Sequence, residues 1–258
     1  MAKMNETMKT ITVAGLLCLV CSFLVSGTVV LLKDRQLKNK ELDFKKNILM
    51  SAGLVKEGDD IESAFKAIET IVVDFETGEQ TSAVNAATYD QNAAAKDPAM
   101  SVSIPANLDV GGLSRRAKFA TVYLTRDDAG MIKEVILNVR GKGLWSTMYG
   151  FIALESDFKT IKGFAYYSQG ETPGLGGEVD NPNWKKQWVG KKLFDENNDY
   201  VFGVAKGTVD HTHGLAKYKV DGLSGATITS TGVTNSMKYW FGEHGYGKLL
   251  EKLRAGGI

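Results

Sequence analysis

Seven residues, DGLSGAT from Asp221 to Thr227, set two glycines, two small side chains and a terminal hydroxyl ahead of the stretch ITSTGVTNSMKYWF. Gly222 and Gly225 permit a tight turn through positive φ, and Ser224 and Ala226 keep bulk away from whatever approaches the backbone. Val233, Met237 and Trp240 recur at helical spacing, which predicts a helix whose first N–H groups suit a phosphate. Three readings compete for the turn. One is an ordinary glycine turn into a capped helix. A nucleophile elbow requires G-x-S-x-G, and Ala226 occupies the last glycine position, so that reading fails. The third is a phosphate cradle in which a threonine hydroxyl carries the ligand.

Two further segments carry candidate chemistry. In GKGLWSTMYGF, Gly141 to Phe151, glycines release the chain after a strand, and Trp145 and Tyr149 present flat apolar surface suited either to a planar ring or to the core. In GETPGLGGEV, Gly170 to Val179, a Pro-Gly turn and two more glycines bring backbone amides close to a ligand, with Leu175 as an apolar tip. Glu171 reads equally well as loop charge. His211 and His213 are spaced to share one face of a strand and hold a metal. With no cysteine in the soluble part, no metal is expected. No G-x-G-x-x-G fingerprint follows a strand, which argues against a dinucleotide site.

DGLSGAT resembles the flavinylation motif of the FMN-binding domain family, in which the last Thr or Ser is esterified to the phosphate of FMN. Together with GKGLWSTMYGF, GETPGLGGEV and an apolar N-terminal stretch, it makes the whole chain resemble the C subunits of bacterial sodium-translocating NADH:quinone oxidoreductases. The turn alone is shared with the G subunits of ion-translocating Rnf complexes; GKGLWSTMYGF resembles the sodium-pump protein more. The resemblance implies covalent FMN on Thr227 and a pocket of Ser224, Gly225, Ala226, Trp145, Thr172, Leu175 and Gly176. It implies that Asp221 helps a separate flavin transferase recognise the turn, and that the other subunits of the complex are partners. Lys206 and Lys217 are candidate cations for the phosphate or for reduced, anionic flavin. Thr227 is then a site of modification, and no residue of this chain is expected to be catalytic. The alternative from another class is a flavin-free, anchored assembly factor built on the same glycine turns.

Positioning such a site requires an anchor and a sheet. The 258 residues carry a formal net charge of +1, which argues against a nucleic-acid partner. From Ile11 to Leu32 there is no charge, enough chain to cross a bilayer core of roughly 30 Å. Cys18 and Cys21 fall inside this stretch and read as small apolar residues of a membrane helix. Lys33, Arg35, Lys38 and Lys40 after the span outnumber Lys3 and Lys9 before it, which taken literally keeps the domain in the cytoplasm; long domains translocate regardless of such charges. The resemblance implies the inner membrane with a periplasmic domain.

Helical spacing predicts a stalk from Lys33 to Met50 and a second helix from Ile61 to Val72 capped by Asp59 or Asp60. The Asn/Ala-rich run from Val84 to Pro98 predicts a surface excursion. Alternation predicts strands over 118–125, 131–140, 150–156 and 161–169, the first two forming a hairpin, and another strand near Tyr200. Strands without regular βα alternation predict an α+β fold: one transmembrane helix and one mixed α/β soluble domain. The expected divisions are 1–32 for tail and anchor, 33–115 for a juxtamembrane helical and irregular region, and 116–258 for the FMN-binding core.

Overall fold

The computed structural model describes residues 5–56 and 58–257. Two compact units divide between Asp43 and Phe44. The first is the exposed part of helix α1 (Glu6–Ser51), whose apolar stretch is long enough by length and composition to cross a membrane.

The second unit is built on a five-stranded antiparallel sheet formed by β1 (Glu69–Asp74), β4 (Phe119–Arg126), β5 (Ile132–Lys142), β6 (Thr147–Glu155) and β7 (Ile161–Ser168), in that spatial order. Between β1 and β4 lie a short ribbon of β2 (Ser101–Ser103) with β3 (Arg115–Ala117) and one turn of helix, α3 (Gln91–Ala94). Side chains alternate across a strand, so the sheet carries a core on each face. Val122, Leu124, Val135, Leu137, Val139, Ile152 and Leu154 enter the larger core, which includes Val233, Met237 and Trp240 of α5 (Thr227–Trp240) and Leu249, Leu250 and Leu253 of α6 (Lys248–Arg254). Their neighbours Tyr123, Ile136, Phe151 and Ala153 face the other way and bury Ile48 and Leu49 from the end of α1. Gly163 of β7 admits this close approach, because a Cβ there would collide with the Ser51 carbonyl oxygen.

Four expected strands are present within a few residues of their expected ends. The helix expected over 61–72 is not. Asp60 caps α2 (Ile61–Phe65) through its carboxylate, and the chain then becomes β1, where Ile71, Val72 and Val73 pair with β4. A β-branched run with a sheet edge to join prefers the strand. The 84–98 excursion holds α3, whose buried Gln91 accepts from the Thr121 N–H at 3.0 Å and so ties the excursion to β4. Near Tyr200 the strand is only β8 (Gly203–Val204), paired in parallel with β9 (Lys219–Val220). His211 and His213 lie in turns, not on a strand; His213 Nδ1 accepts from the Leu215 N–H.

Candidate functional site

The turn from Asp221 to Thr227 is held from behind. Asp221 accepts from the Val209 N–H at 2.7 Å and from Gln187 Nε2 at 3.0 Å, its own N–H donates to Gln187 Oε1, and its carbonyl accepts from Trp184 Nε1 at 2.7 Å. Trp184 and Gln187 belong to α4 (Pro182–Lys186) and its C-cap. A Cβ on Gly222 would stand 2.5 Å from the Ala205 carbonyl oxygen, so the neighbouring loop packs directly on the turn. Gly225 then takes φ +68°, the left-handed region that glycine enters without penalty.

This geometry starts α5 at Thr227 with Ala226 at the N-cap, and no side chain caps the 14-residue helix. Ser, Thr, Asn or Asp at that position contributes about 1 kcal/mol. The sequence forgoes that stabilisation where the helix dipole favours an anion. Thr227 is exposed and lines a groove of about 320 Å³ with Thr231 and Asn235, one and two turns further along α5. Across the groove stand Val110, Gly111, Gly112, Lys142 and Gly143. Beside the groove α5 lies close to the end of β5: a Cβ on Gly232 would collide with the Lys142 carbonyl oxygen. Ser236 Oγ and Trp240 Nε1 fix the crossing by donating to the Arg140 carbonyl at 2.9 and 2.6 Å.

The Gly141–Phe151 segment, the Gly170–Val179 loop and the first turn of α5 meet at Glu171, a residue only 5% exposed. Oε1 accepts from the N–H groups of Trp145 and Ser146, both at 2.9 Å, and from Ser146 Oγ at 3.1 Å. Oε2 accepts from the Leu144 N–H at 3.0 Å and from Thr229 Oγ1 at 2.7 Å. Three successive backbone N–H groups thus form an anion-binding nest that this carboxylate fills. A Cβ on Gly143 would come within 2.6 Å of Oε1, and one on Gly176 within 2.9 Å of Oε2, so both positions must stay bare. Burial pushes the Glu171 pKa up; the hydrogen bonds from Thr229, Trp145, Leu144 and Ser146 outweigh it and leave the pKa below its ordinary value. Glu171 is therefore not the loop charge its sequence context allows.

Of the other expected pocket residues, Trp145 is 71% and Leu175 44% exposed, and Leu175 packs against Gly225. Thr172 is exposed and accepts through its carbonyl from the N–H groups of Leu175 and Gly177, which shapes the glycine loop. Gly176 is buried beneath it, and Ser224 is exposed on the turn. Tyr149 departs from Trp145 and packs near Tyr167, at a centroid distance of 6.2 Å. Lys206 is exposed on the loop beside Gly222, and Lys217 pairs with Glu196 at 3.2 Å. The lysine lining the Thr227 groove is Lys142, which sequence reasoning missed because it sits at the end of a strand far from the turn. A larger cavity of about 750 Å³ at the β4–β5 turn and α6 is lined by none of these residues.

An α+β domain with a hydroxyl at an uncapped helix start, rimmed by exposed apolar side chains, defines a class that comparison makes explicit. Residues 143–242 match the FMN-binding domain model. The C subunit of the Na(+)-translocating NADH-quinone reductase of Haemophilus ducreyi is 49% identical over 99% of this chain and 98% of its own length. Its counterpart from Pseudomonas aeruginosa is 45% identical over 99% of each. The crystal structure of Shewanella oneidensis NqrC superposes with a TM-score of 0.77 at 35% identity, covering 84% of this chain and 99% of that one. The chain belongs to the family of C subunits of Na(+)-translocating NADH-quinone reductases.

Proposed function

We propose that this chain is the membrane-anchored electron relay of a sodium-pumping NADH:quinone reductase, with FMN joined through its phosphate to Thr227. The observation that carries this reading is the start of α5: an exposed threonine hydroxyl as the first helical residue, behind an alanine that cannot cap. Phosphate at that position meets unsatisfied N–H groups and the positive end of the helix dipole. Thr231, Asn235 and Lys142 line the same groove and suit the polar part of the nucleotide, while Trp145, Leu175 and Ile228 offer the exposed apolar surface that a flavin ring needs. Bound flavin supplies the one- and two-electron chemistry that no side chain here possesses.

Attachment is a phosphoryl transfer. The Thr227 hydroxyl attacks the FMN phosphorus of FAD, an Oγ–P bond forms, the pyrophosphate P–O bond breaks and AMP leaves with the bonding pair. The hydroxyl proton passes to a base of the flavin transferase. Asp221 contributes by holding the turn in the shape that the transferase meets. The domain from Phe44 onward lies in the periplasm of a bacterial inner-membrane protein, and the other subunits of the complex are its partners. The uncharged stretch of α1 offers no ion path.

Co-expression with the flavin transferase tests this directly. The wild type acquires a fluorescent band on a denaturing gel, Thr227→Ser keeps it and Thr227→Ala loses it. A colourless wild type under those conditions favours the assembly-factor alternative. A C-terminal alkaline phosphatase fusion, active only after export, reads the orientation.

A further inference from the structure

We propose that Glu171 is a positioning residue for the cofactor, a carboxylate clamp that fixes the Trp145 loop and the glycine loop against the first turn of α5 before any flavin arrives. This rests on the flavin reading above and extends it to a residue in the wall behind the site. The geometry is specific. Glu171 Oε1 and Oε2 take five hydrogen bonds between them, from Leu144, Trp145 and both donors of Ser146 on one side and from Thr229 on the other. Ser146 Oγ also accepts from the Gly170 N–H at 2.8 Å, which closes the clamp onto the residue before Glu171. Gln169 Oε1 accepts from the Glu171 N–H at 2.7 Å, and Gln169 Nε2 donates to Asp180 Oδ2 at 2.9 Å, so the glutamate backbone is itself braced.

The clamp reaches the surface at two places. Trp145 is exposed, yet its backbone is pinned at 144–146, so its ring is held out on a fixed base. Thr229 lies two residues after Thr227 on the same helix start, so the clamp and the attachment point share one turn of α5. Pre-organisation of this kind spares the cost of ordering loops on binding. The buried negative charge also disfavours a reduced, anionic flavin nearby, and removing that charge raises the flavin potential.

The test uses the full-length chain, made with and without the flavin transferase, as wild type, Glu171→Gln and Thr229→Val. Glutamine keeps the size but has one acceptor oxygen in place of two and no charge. In the flavin-free protein, backbone amides 144–146 of Glu171→Gln exchange with deuterium at least tenfold faster than in wild type, with far-ultraviolet circular dichroism unchanged. In the flavin-loaded protein, Glu171→Gln still gains the flavin mass, but its visible circular dichroism changes and its midpoint potential moves upward. Thr229→Val keeps the three amide bonds and therefore normal exchange at 144–146, with a smaller change in the flavin circular dichroism. Unchanged amide exchange in folded Glu171→Gln overturns the clamp. Faster exchange with wild-type flavin circular dichroism and potential reduces Glu171 to a purely structural part and overturns the positioning role. Should Glu171→Gln fail to fold, an unaltered flavin signal in Thr229→Val overturns it equally. A wild-type chain that never gains flavin mass is a separate result, which contradicts the attachment at Thr227.

Discussion

Leu175 reaches Gly225 so closely that a Cβ on the glycine would stand 2.9 Å from Leu175 Cδ2. Gly225 also holds φ +68°, which costs a residue with a Cβ about 1–2 kcal/mol. Gly225→Ala is therefore expected to lower stability by about that amount and to push the Leu175 tip outward. Urea unfolding of the flavin-free chain reads the first effect, and a fall in flavin attachment under limiting transferase reads the second.

Gly232 sets two principles against each other. Within an isolated helix, Gly→Ala stabilises by about 1 kcal/mol. Here the added Cβ would collide with the Lys142 carbonyl oxygen, a backbone atom that cannot swing away. Overpacking of this kind costs roughly 1–3 kcal/mol, so Gly232→Ala is expected to lower Tm despite the better helix former. A raised Tm would show that α5 does not press on the end of β5 as described.

Asp221 has a structural load independent of any transferase. Asp221→Ala leaves the Val209 N–H and Gln187 Nε2 without their acceptor, at about 1–3 kcal/mol for each donor left unsatisfied in a partly buried setting. Protein made without transferase should already show the lower unfolding midpoint. Reduced flavinylation of this variant alone would then say little about recognition; a variant that unfolds like wild type and still resists flavinylation would assign recognition to Asp221.

The Glu171 carboxyl has a folded pKa below its ordinary value of 4.5. A depressed folded pKa means that the stability contributed by its ionised form is complete above the unfolded value and is lost as pH falls through the folded one. The difference in unfolding free energy between wild type and Glu171→Gln should be full at pH 7 and shrink below about pH 4.5. Matched denaturant titrations at pH 7 and pH 3 check this, and a difference that grows in acid would contradict the sign.

The glycines of the three segments were legible as places of close approach, and Gly143, Gly176 and Gly222 do have other atoms where a Cβ would stand; that Trp145 is exposed while Tyr149 turns to Tyr167 was not. The strands were legible as short apolar, β-branched runs, although in β5 the sheet buries both faces, Val135, Leu137 and Val139 on one and Ile136 on the other, where alternation alone would leave one face to solvent. Glu171 was not. Its donors lie 25 to 27 residues before it and 58 after it, and local sequence does not distinguish a buried hub from a solvated loop charge. Lys142 was missed for the same reason, since its place beside Thr227 depends on α5 crossing the end of β5. β1 is not legible as a strand, because helical spacing from Ile61 to Ile68 runs straight into Ile71, Val72 and Val73, and only pairing with β4 decides where one pattern yields to the other.

The attachment of a flavin nucleotide to Thr227 is most directly tested by the mass of one peptide. Lys219 and Lys238 bracket a tryptic fragment, residues 220–238, that contains the whole turn. From cells expressing the flavin transferase, that fragment should weigh its amino acids plus one FMN less water, with fragmentation placing the increment on Thr227. An unmodified fragment from cells that flavinylate other proteins, or an increment on any other residue, would contradict the account.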